Sequence, residues 1–144
     1  MRVSAFHVAQ QHFMTRHFMR VSAFHFLGGN MSNNILVDLS MDFAVDIVNL
    51  CDSIKGKSVL TNQILRSGTS IGANIHEANY AQSSPDFISK LQIALKECYE
   101  TKYWLKLFAR TNIISKDAYA KLHNDSGKIR RILIASINTA KANS

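Results

Sequence analysis

The chain is poor in the residues that turns, disulfides and metal sites require. Its 144 residues include one proline, six glycines and two cysteines. So little proline and glycine favours helices over a turn-rich β fold, and the length is that of one domain. Cys51 and Cys98 do not form a C-x-x-C pair. We expect both to be reduced core thiols of a cytosolic protein, with a disulfide or a metal site as the alternative.

Long apolar runs are also missing, and basic residues outnumber acidic ones. No stretch of about 18 consecutive apolar residues occurs, so we expect no membrane span. Hydrophobic residues make up 47% of the chain, enough for an ordinary globular core, and 17 basic residues face 10 acidic ones. The formal net charge of +7 is compatible with nucleic acid or an anionic surface as a partner, although charge alone is weak evidence.

The first thirty residues contain a direct repeat, in which Met1–His7 recurs identically as Met19–His25. Two such short blocks cannot form a repeat architecture, and the acid-poor, arginine-bearing segment resembles a transit peptide. The codons for Leu27–Met31 can spell a bacterial ribosome-binding site followed by a start codon. We therefore predict that 1–30 is a leader, disordered or assigned from a wrong start, and that Met31 begins the natural protein. A genuine extension is the alternative.

Four amphipathic helices are predicted in the remaining domain, 31–144. Without the leader's three arginines its net charge falls to +4. The predicted spans are about 39–54, 59–80, 84–110 and 115–140, with short connections. Such lengths and connections predict an all-α, antiparallel, up-down-up-down four-helix bundle.

Capping residues set the predicted helix ends. Asp38 and Ser40 are predicted to start the first helix, and Gly56 to end it in a left-handed conformation. Ser84, followed by a proline and an aspartate, is predicted to cap the third helix. The polar stretch Asn124–Gly127 predicts a kink or a loosened turn in the fourth helix.

The third helix also has a regular apolar seam, whose members are three or four residues apart as in a heptad repeat. The members are Phe87, Leu91, Ala94, Cys98, Thr101, Leu105 and Phe108.

The segment Leu65–Ala81 has helical spacing but unusually small side chains. Gly68 and Gly72 each cost about 1 kcal/mol in a helix interior, which indicates that another backbone comes close. A polar line follows the same helix at steps of four, four and three; it comprises Arg66, Ser70, Asn74 and Glu77. We interpret it as a hydrogen-bonded contact across the bundle or a subunit interface, with Lys96, Glu97 and Glu100 as candidate partners. A site that grips a ligand is the alternative.

Basic residues recur on the third and fourth helices. Lys102, Lys106 and Arg110 stand at i, i+4 and i+8 beside Tyr99 and Tyr103. The pattern predicts a phosphate-binding surface with salt-dependent, sequence-tolerant affinity, whereas a solvated face with ion pairs is the alternative. The predicted contacts are Lys102, Lys106, Arg110, Lys128, Arg130 and Arg131.

No constellation for catalysis or metal binding is evident. His76 and His123 lack a second metal ligand at i+3 or i+4, and Glu97-x-x-Glu100 lacks the histidine of di-iron bundles. No phosphate loop or dinucleotide fingerprint occurs. We therefore expect no catalytic residue, no metal and no cofactor. An enzyme using Glu77 together with Glu97 and Glu100 is a third, less favoured class.

Three segments, in order, resemble one known family. Leu60–Ala78, with the sequence LTNQILRSGTSIGANIHEA, is similar to the signature of the 23S ribosomal RNA intervening-sequence proteins. Phe87–Leu105 resembles the third helix of that family, and Asn34–Ala44 resembles its opening. The similarity extends over about 31–140 and leaves out the leader.

The resemblance implies an antiparallel four-helix bundle that assembles as a ring-shaped homopentamer. Related accessory proteins of diversity-generating retroelements are basic rings that bind nucleic acid and a reverse transcriptase. The expectation is thus a cytoplasmic, non-enzymatic homo-oligomer that binds RNA or DNA and scaffolds a protein partner. A purely structural protein–protein oligomer is the alternative. The positions that match the family motif are read as structural: Arg66, Ser70, Ile71, Asn74, Ile75 and Glu77.

Overall fold

The computed structural model describes the backbone of residues 30–144 and the side chains of residues 35–144. The predicted leader lies outside this range, except for its last residue, Asn30. The predictions for its repeat and for the start of the natural protein are therefore not addressed by the fold.

Four helices make up the secondary structure of the described residues. They are α1 (Asn30–Ser53), α2 (Ser58–Ala78), α3 (Ser84–Arg110) and α4 (Lys116–Ala142). Each helix packs against the next one along the chain, and α1 also packs against α4. The four helices thereby enclose one apolar core, which confirms the all-α class for the described part of the chain.

The first helix begins nine residues before its predicted start. Asp38 and Ser40 were predicted as caps, but both lie inside α1, and that prediction is wrong. Ser40 is buried, and its hydroxyl donates to the Val37 carbonyl at 2.9 Å. The physical reason is that Leu36 is buried on the same face as Phe43, so the apolar stripe continues toward the N-terminus and stabilises helix there.

The other helix ends follow local capping chemistry. Gly56 has a φ of 69°, which confirms the left-handed residue predicted after α1. Ser83, rather than Ser84, caps α3, because its Oγ accepts a hydrogen bond from the Asp86 amide at 3.3 Å. Ser115 caps α4 in the same way.

Helix α4 is continuous through Asn124–Gly127, so this stretch does not interrupt it. Ser126 is buried there, and its hydroxyl donates to the His123 carbonyl at 3.1 Å. Packing of the flanking Leu122 and Ile129 against the core outweighs the weak helix propensity of this stretch.

The seam predicted on α3 is confirmed in full, since all seven of its members are buried. The close approach predicted for the small-residue segment is also found. A Cβ added at Gly68 would lie 3.0 Å from two side-chain carbons of Ile47, and one added at Gly72 would lie 3.4 Å from the Ser40 carbonyl oxygen. The small residues of α2 therefore accommodate α1 within the same chain.

Candidate nucleic-acid interface on α3 and α4

Two acidic residues of α3, Glu97 and Glu100, share one ion-pair partner on α2. Arg66 contacts both, with its Nη1 lying 3.4 Å from Glu97 Oε2 and its Nη2 hydrogen-bonded to Glu100 Oε1. Glu100 also accepts a hydrogen bond from Trp104 Nε1 at 3.3 Å. The hydrogen bond from Arg66, followed by that from Trp104, holds the pKa of Glu100 below its ordinary value. Arg66 thus offsets part of the negative charge of α3 on the side that faces α2.

The polar line of α2 divides between two kinds of contact. Glu77 forms an ion pair with Lys90 of α3, just as Arg66 pairs with α3 further along. Asn74 instead donates from Nδ2 to the Ser70 carbonyl at 2.8 Å, within its own helix. Of the three candidate partners on α3, Glu97 and Glu100 contact the line; Lys96 has no ion pair among the described residues.

The deepest polar contact between α2 and α3 was missed by sequence reasoning. Ser67 and Thr101 are both fully buried, and Thr101 Oγ1 donates to Ser67 Oγ at 3.0 Å. The Glu97 carbonyl, 2.8 Å away, is an alternative acceptor for the same hydroxyl. A polar residue within the apolar seam of α3 was the available signal for this contact, because a buried hydroxyl requires a partner.

A neighbouring face of α3 carries cations and exposed aromatic residues. Tyr99, Tyr103, Lys106 and Arg110 follow one another at steps of four, three and four, which places them on one line along the helix. Tyr99 is 51% exposed and Tyr103 is 61% exposed. Within the described residues, no carboxylate forms an ion pair with Lys102, Lys106 or Arg110.

Helix α4 brings further positive charge to this side. The Arg130 guanidinium carbon lies 5.6 Å from the centre of the Tyr99 ring, within the range of a cation–π contact. Arg131 is exposed, and its Nη1 would lie 3.7 Å from a Cβ at Gly127, one turn earlier in the same helix. A shallow depression in the seam between α3 and α4 is lined by Cys98, Lys102, His123, Ser126, Gly127 and Arg130.

We call the combined surface the cationic–aromatic face. It comprises Tyr99, Lys102, Tyr103, Lys106 and Arg110 of α3 with Arg130 of α4. Four of the six predicted phosphate contacts therefore belong to this surface, and Arg131 is not linked to it by a contact among the described residues.

Lys128, the sixth, lies in a different electrostatic setting. Its Nζ is 2.9 Å from Asp125 Oδ1, and Asp125 in turn lies 3.3 Å from Lys121. Lys121 also pairs with Asp46 of α1. The hydrogen bond from Lys128 is the main cause that holds the pKa of Asp125 below its ordinary value. Lys128 therefore belongs to a network that joins α4 to α1, and its charge is largely compensated.

Charge is unevenly divided between the helices. Helix α1 contains four aspartates and neither lysine nor arginine, whereas α3 and α4 carry an excess of basic residues. The acidic side of the molecule is thus built by α1 and the basic side by α3 and α4.

The two thiols are free, but neither is activated. Burial raises the pKa of the Cys98 thiol to about 12, even though Arg130 acts in the opposite direction. Burial likewise raises the pKa of Cys51. A thiol that stays protonated at neutral pH is a poor nucleophile, so Cys98 contributes apolar packing beneath the seam.

The described part of the chain has neither a cluster of metal-ligating side chains nor a membrane-spanning helix. Among residues 30–144, no three His, Cys, Asp or Glu side chains are grouped so that they could hold a metal ion. None of the four helices is both long and apolar enough to cross a membrane.

The fold and this surface define a class, namely a four-helix protein with one acidic and one cationic–aromatic side. The model of the 23S rRNA-intervening sequence protein family matches residues 32–135. The chain belongs to this family, which confirms the resemblance noted from its sequence.

A solved structure is also similar to the chain. It is the crystal structure, at 1.70 Å resolution, of a protein with unknown function from the S23 ribosomal protein family of Bacteroides thetaiotaomicron VPI-5482. The two are 51% identical with a TM-score of 0.72, and the match covers 75% of this chain and 99% of that one. No curated protein matches the chain.

Proposed function

We propose that this protein is a non-enzymatic, cytoplasmic bundle that binds RNA or DNA through its cationic–aromatic face. The observation that carries the proposal is the separation of charge on α3. Glu97 and Glu100 are paired with Arg66 on the α2 side, while Lys106 and Arg110 are exposed and lack an ion pair among the described residues. Cations without an internal partner are available to phosphates, and releasing counterions from the nucleic acid favours their contact.

We further propose that the helices run up-down-up-down and that the working form is a ring-shaped homopentamer. Support for the antiparallel order comes from paired contacts: Ser67 meets Thr101, whereas Glu77, further along α2, meets Lys90, which is earlier in α3. Support for self-association comes from the outer face of α1. Met41, Val45 and Val48 stand there at steps of four and three and are 59%, 50% and 40% exposed.

A ring would present several copies of the cationic–aromatic face at once. Linked copies of a weak site raise the overall affinity without any new contact, provided that one ligand can reach more than one copy. Such an assembly could also hold a protein partner beside the bound nucleic acid, which is the scaffolding role expected from the family.

The test is a salt titration of binding to labelled single-stranded RNA and DNA, followed by fluorescence anisotropy. We expect binding at low salt that weakens as salt rises. If Lys106 and Arg110 each contact one phosphate, the double variant K106A/R110A lowers the slope of log affinity against log salt by about 1.4, or about 0.7 per contact on a single strand.

The matched control is K55A/K57A, which removes the same charge from the exposed connection between α1 and α2. It should leave the slope nearly unchanged. Absence of binding by the wild-type protein at low salt would remove the nucleic-acid function and leave a purely structural oligomer. Equal effects of the two double variants would show that net charge, rather than this face, determines the affinity.

A further inference from the structure

The cationic–aromatic face has a feature that phosphate binding alone does not use. Tyr99 and Tyr103 lie one helical turn apart, roughly 6 Å along the helix axis, and more than half of each side chain is exposed. Exposed aromatic surface grouped in this way marks an interaction site. A bound molecule would therefore have to offer flat apolar groups as well as negative charge.

Both aromatic side chains are positioned by their neighbours. Tyr103 contacts Trp104 edge to face, with 5.0 Å between the ring centres and an angle of 77° between the ring planes. Trp104 is itself held by its hydrogen bond to Glu100. The other tyrosine, Tyr99, is positioned by the Arg130 guanidinium, which lies over its ring. Side chains held in this way lose less conformational entropy when a ligand binds.

Positive charges predominate around the two tyrosines. Lys102 lies between them in sequence, and Lys106 and Arg110 continue the line. The one carboxylate between the two tyrosines in sequence, Glu100, is hydrogen-bonded to Arg66 and Trp104. The chemistry that combines flat apolar groups with regularly spaced negative charges is that of nucleobases on a phosphate backbone. In a duplex the base faces are stacked on one another, whereas a single strand can present them to aromatic side chains.

We propose that the cationic–aromatic face is a binding site for single-stranded nucleic acid, in which Tyr99 and Tyr103 stack on bases while the neighbouring cations contact phosphates. This inference rests on the proposed function and adds to it the strandedness of the ligand and the residues that select it. Stacking on a tyrosine face accepts every base, so the site is tolerant of sequence.

The experiment compares a 20-nucleotide single strand with a 20-base-pair duplex, using anisotropy at several salt concentrations. The main variant, Y99L/Y103L, keeps apolar volume and good helix propensity but removes both aromatic rings. Loss of one stacked base lowers affinity about 5- to 150-fold, so we expect at least about a 25-fold loss for the single strand. The salt slope and the duplex affinity should change little, because no cation is removed.

Two control variants accompany it. Y99F/Y103F retains the rings without their hydroxyls and should bind the single strand as the wild type does. Y80L removes an aromatic side chain that is 75% exposed but follows the end of α2, away from this face, and should have no effect. Circular dichroism and sedimentation of each variant establish that its fold and its oligomeric state are retained.

A second measurement locates the contact directly. A single strand carrying 5-iodouracil is irradiated in the complex, and the crosslinked peptide is identified by mass spectrometry. We expect the crosslink at Tyr99 or Tyr103, and a crosslink confined to other residues would contradict the stacking.

The outcomes separate this inference from the proposed function. Unchanged single-strand affinity in Y99L/Y103L, together with weakened binding in K106A/R110A, would overturn the stacking and retain the phosphate surface. Equal losses for single strand and duplex would overturn the selectivity. A change in sedimentation without a change in affinity would show that the tyrosines face another protein chain. If the wild type binds neither ligand, both proposals fail.

Discussion

Replacing Gly68 by alanine tests the closest approach between α1 and α2. The new Cβ would lie 3.0 Å from Cγ1 and Cγ2 of Ile47 and 3.3 Å from its Cβ. Ile47 is fully buried, and its branched side chain is stiff about χ1, so it cannot turn aside. Overpacking of this kind costs about 1–3 kcal/mol, while alanine gains about 1 kcal/mol over glycine in a helix interior. We therefore expect the free energy of unfolding to fall by up to about 2 kcal/mol.

The matched control is Gly127→Ala, the same substitution in the interior of α4. The nearest atom to a Cβ there is Nη1 of Arg131 at 3.7 Å, the end of a flexible side chain in ordinary contact. This variant should gain about 0.5–1 kcal/mol. The two variants are compared by urea unfolding, followed by far-UV circular dichroism. One fixed protein concentration is required, because the stability of an oligomer depends on it.

The same substitution in a second variant background, Ile47→Ala, identifies the cause of the destabilisation. Ile47→Ala removes the two carbons closest to position 68, Cγ1 and Cγ2, and leaves only Cβ at 3.3 Å. Gly68→Ala should therefore become neutral or stabilising when it is combined with Ile47→Ala. The expected coupling between the two substitutions is about 0.5–3 kcal/mol. The reasoning is refuted if Gly68→Ala stabilises the wild-type background as much as Gly127→Ala does.

Two further predictions concern titratable groups. The pKa of Glu100 is lower in the folded protein than its ordinary value of 4.5, chiefly because of Arg66, so the folded state binds fewer protons there than the unfolded chain. The resulting stabilisation is present at neutral pH and is lost as pH falls through the folded-state pKa. We therefore expect Arg66→Met to flatten the decline of the urea midpoint between about pH 5 and pH 3. A pH profile of the midpoint that is unchanged in Arg66→Met would contradict this ion pair. Iodoacetamide should label the half-buried Cys51 before Cys98, whose pKa is raised to about 12, and Cys98 should react only as the protein unfolds. Equal labelling rates for the two thiols in native buffer, measured by mass spectrometry, would be inconsistent with the burial of Cys98.

The apolar periodicity of the sequence was sufficient to predict the four helices and much of the core. The seam of α3 was predicted residue by residue because a run of steps of three and four has only one helical solution. Helix starts were harder. Asp38 and Ser40 have good capping side chains, but the same side chains can also lie within a helix when the residues around them are buried. Burial of Leu36 explains why Asp38 and Ser40 lie inside α1 rather than at its start, and burial is a property of the tertiary structure.

The candidate site likewise has features that the sequence predicts and features that only tertiary contacts decide. The sequence indicated the basic pattern on α3, including Lys106 and Arg110, because spacing alone places them on one face. It also indicated Glu97 and Glu100 as candidate partners of the line that contains Arg66, but it did not show that Arg66 alone would contact both of them. Nor did the sequence show that Lys128 and Arg130 have different partners: Asp125 compensates the charge of Lys128, whereas Arg130 reaches Tyr99. The contact of Arg130 with Tyr99 joins residues that are distant in sequence. Lys128 and Asp125 are close in sequence, but only the folded structure shows that Lys128 is oriented toward Asp125.

The sequence by itself determined the all-α class, the family and the spacing of charges and aromatic residues along each helix. These properties follow from local periodicity and from short motifs, which one chain displays without a partner. Only the tertiary structure decided which charges remain uncompensated and which aromatic residues stay exposed. The physical reason is that an ion pair and a buried surface each need two elements, and folding selects which helix faces meet. The packing of α3 between α2 and α4 thus leaves α3 with one side whose carboxylates pair with Arg66 and one cationic–aromatic side.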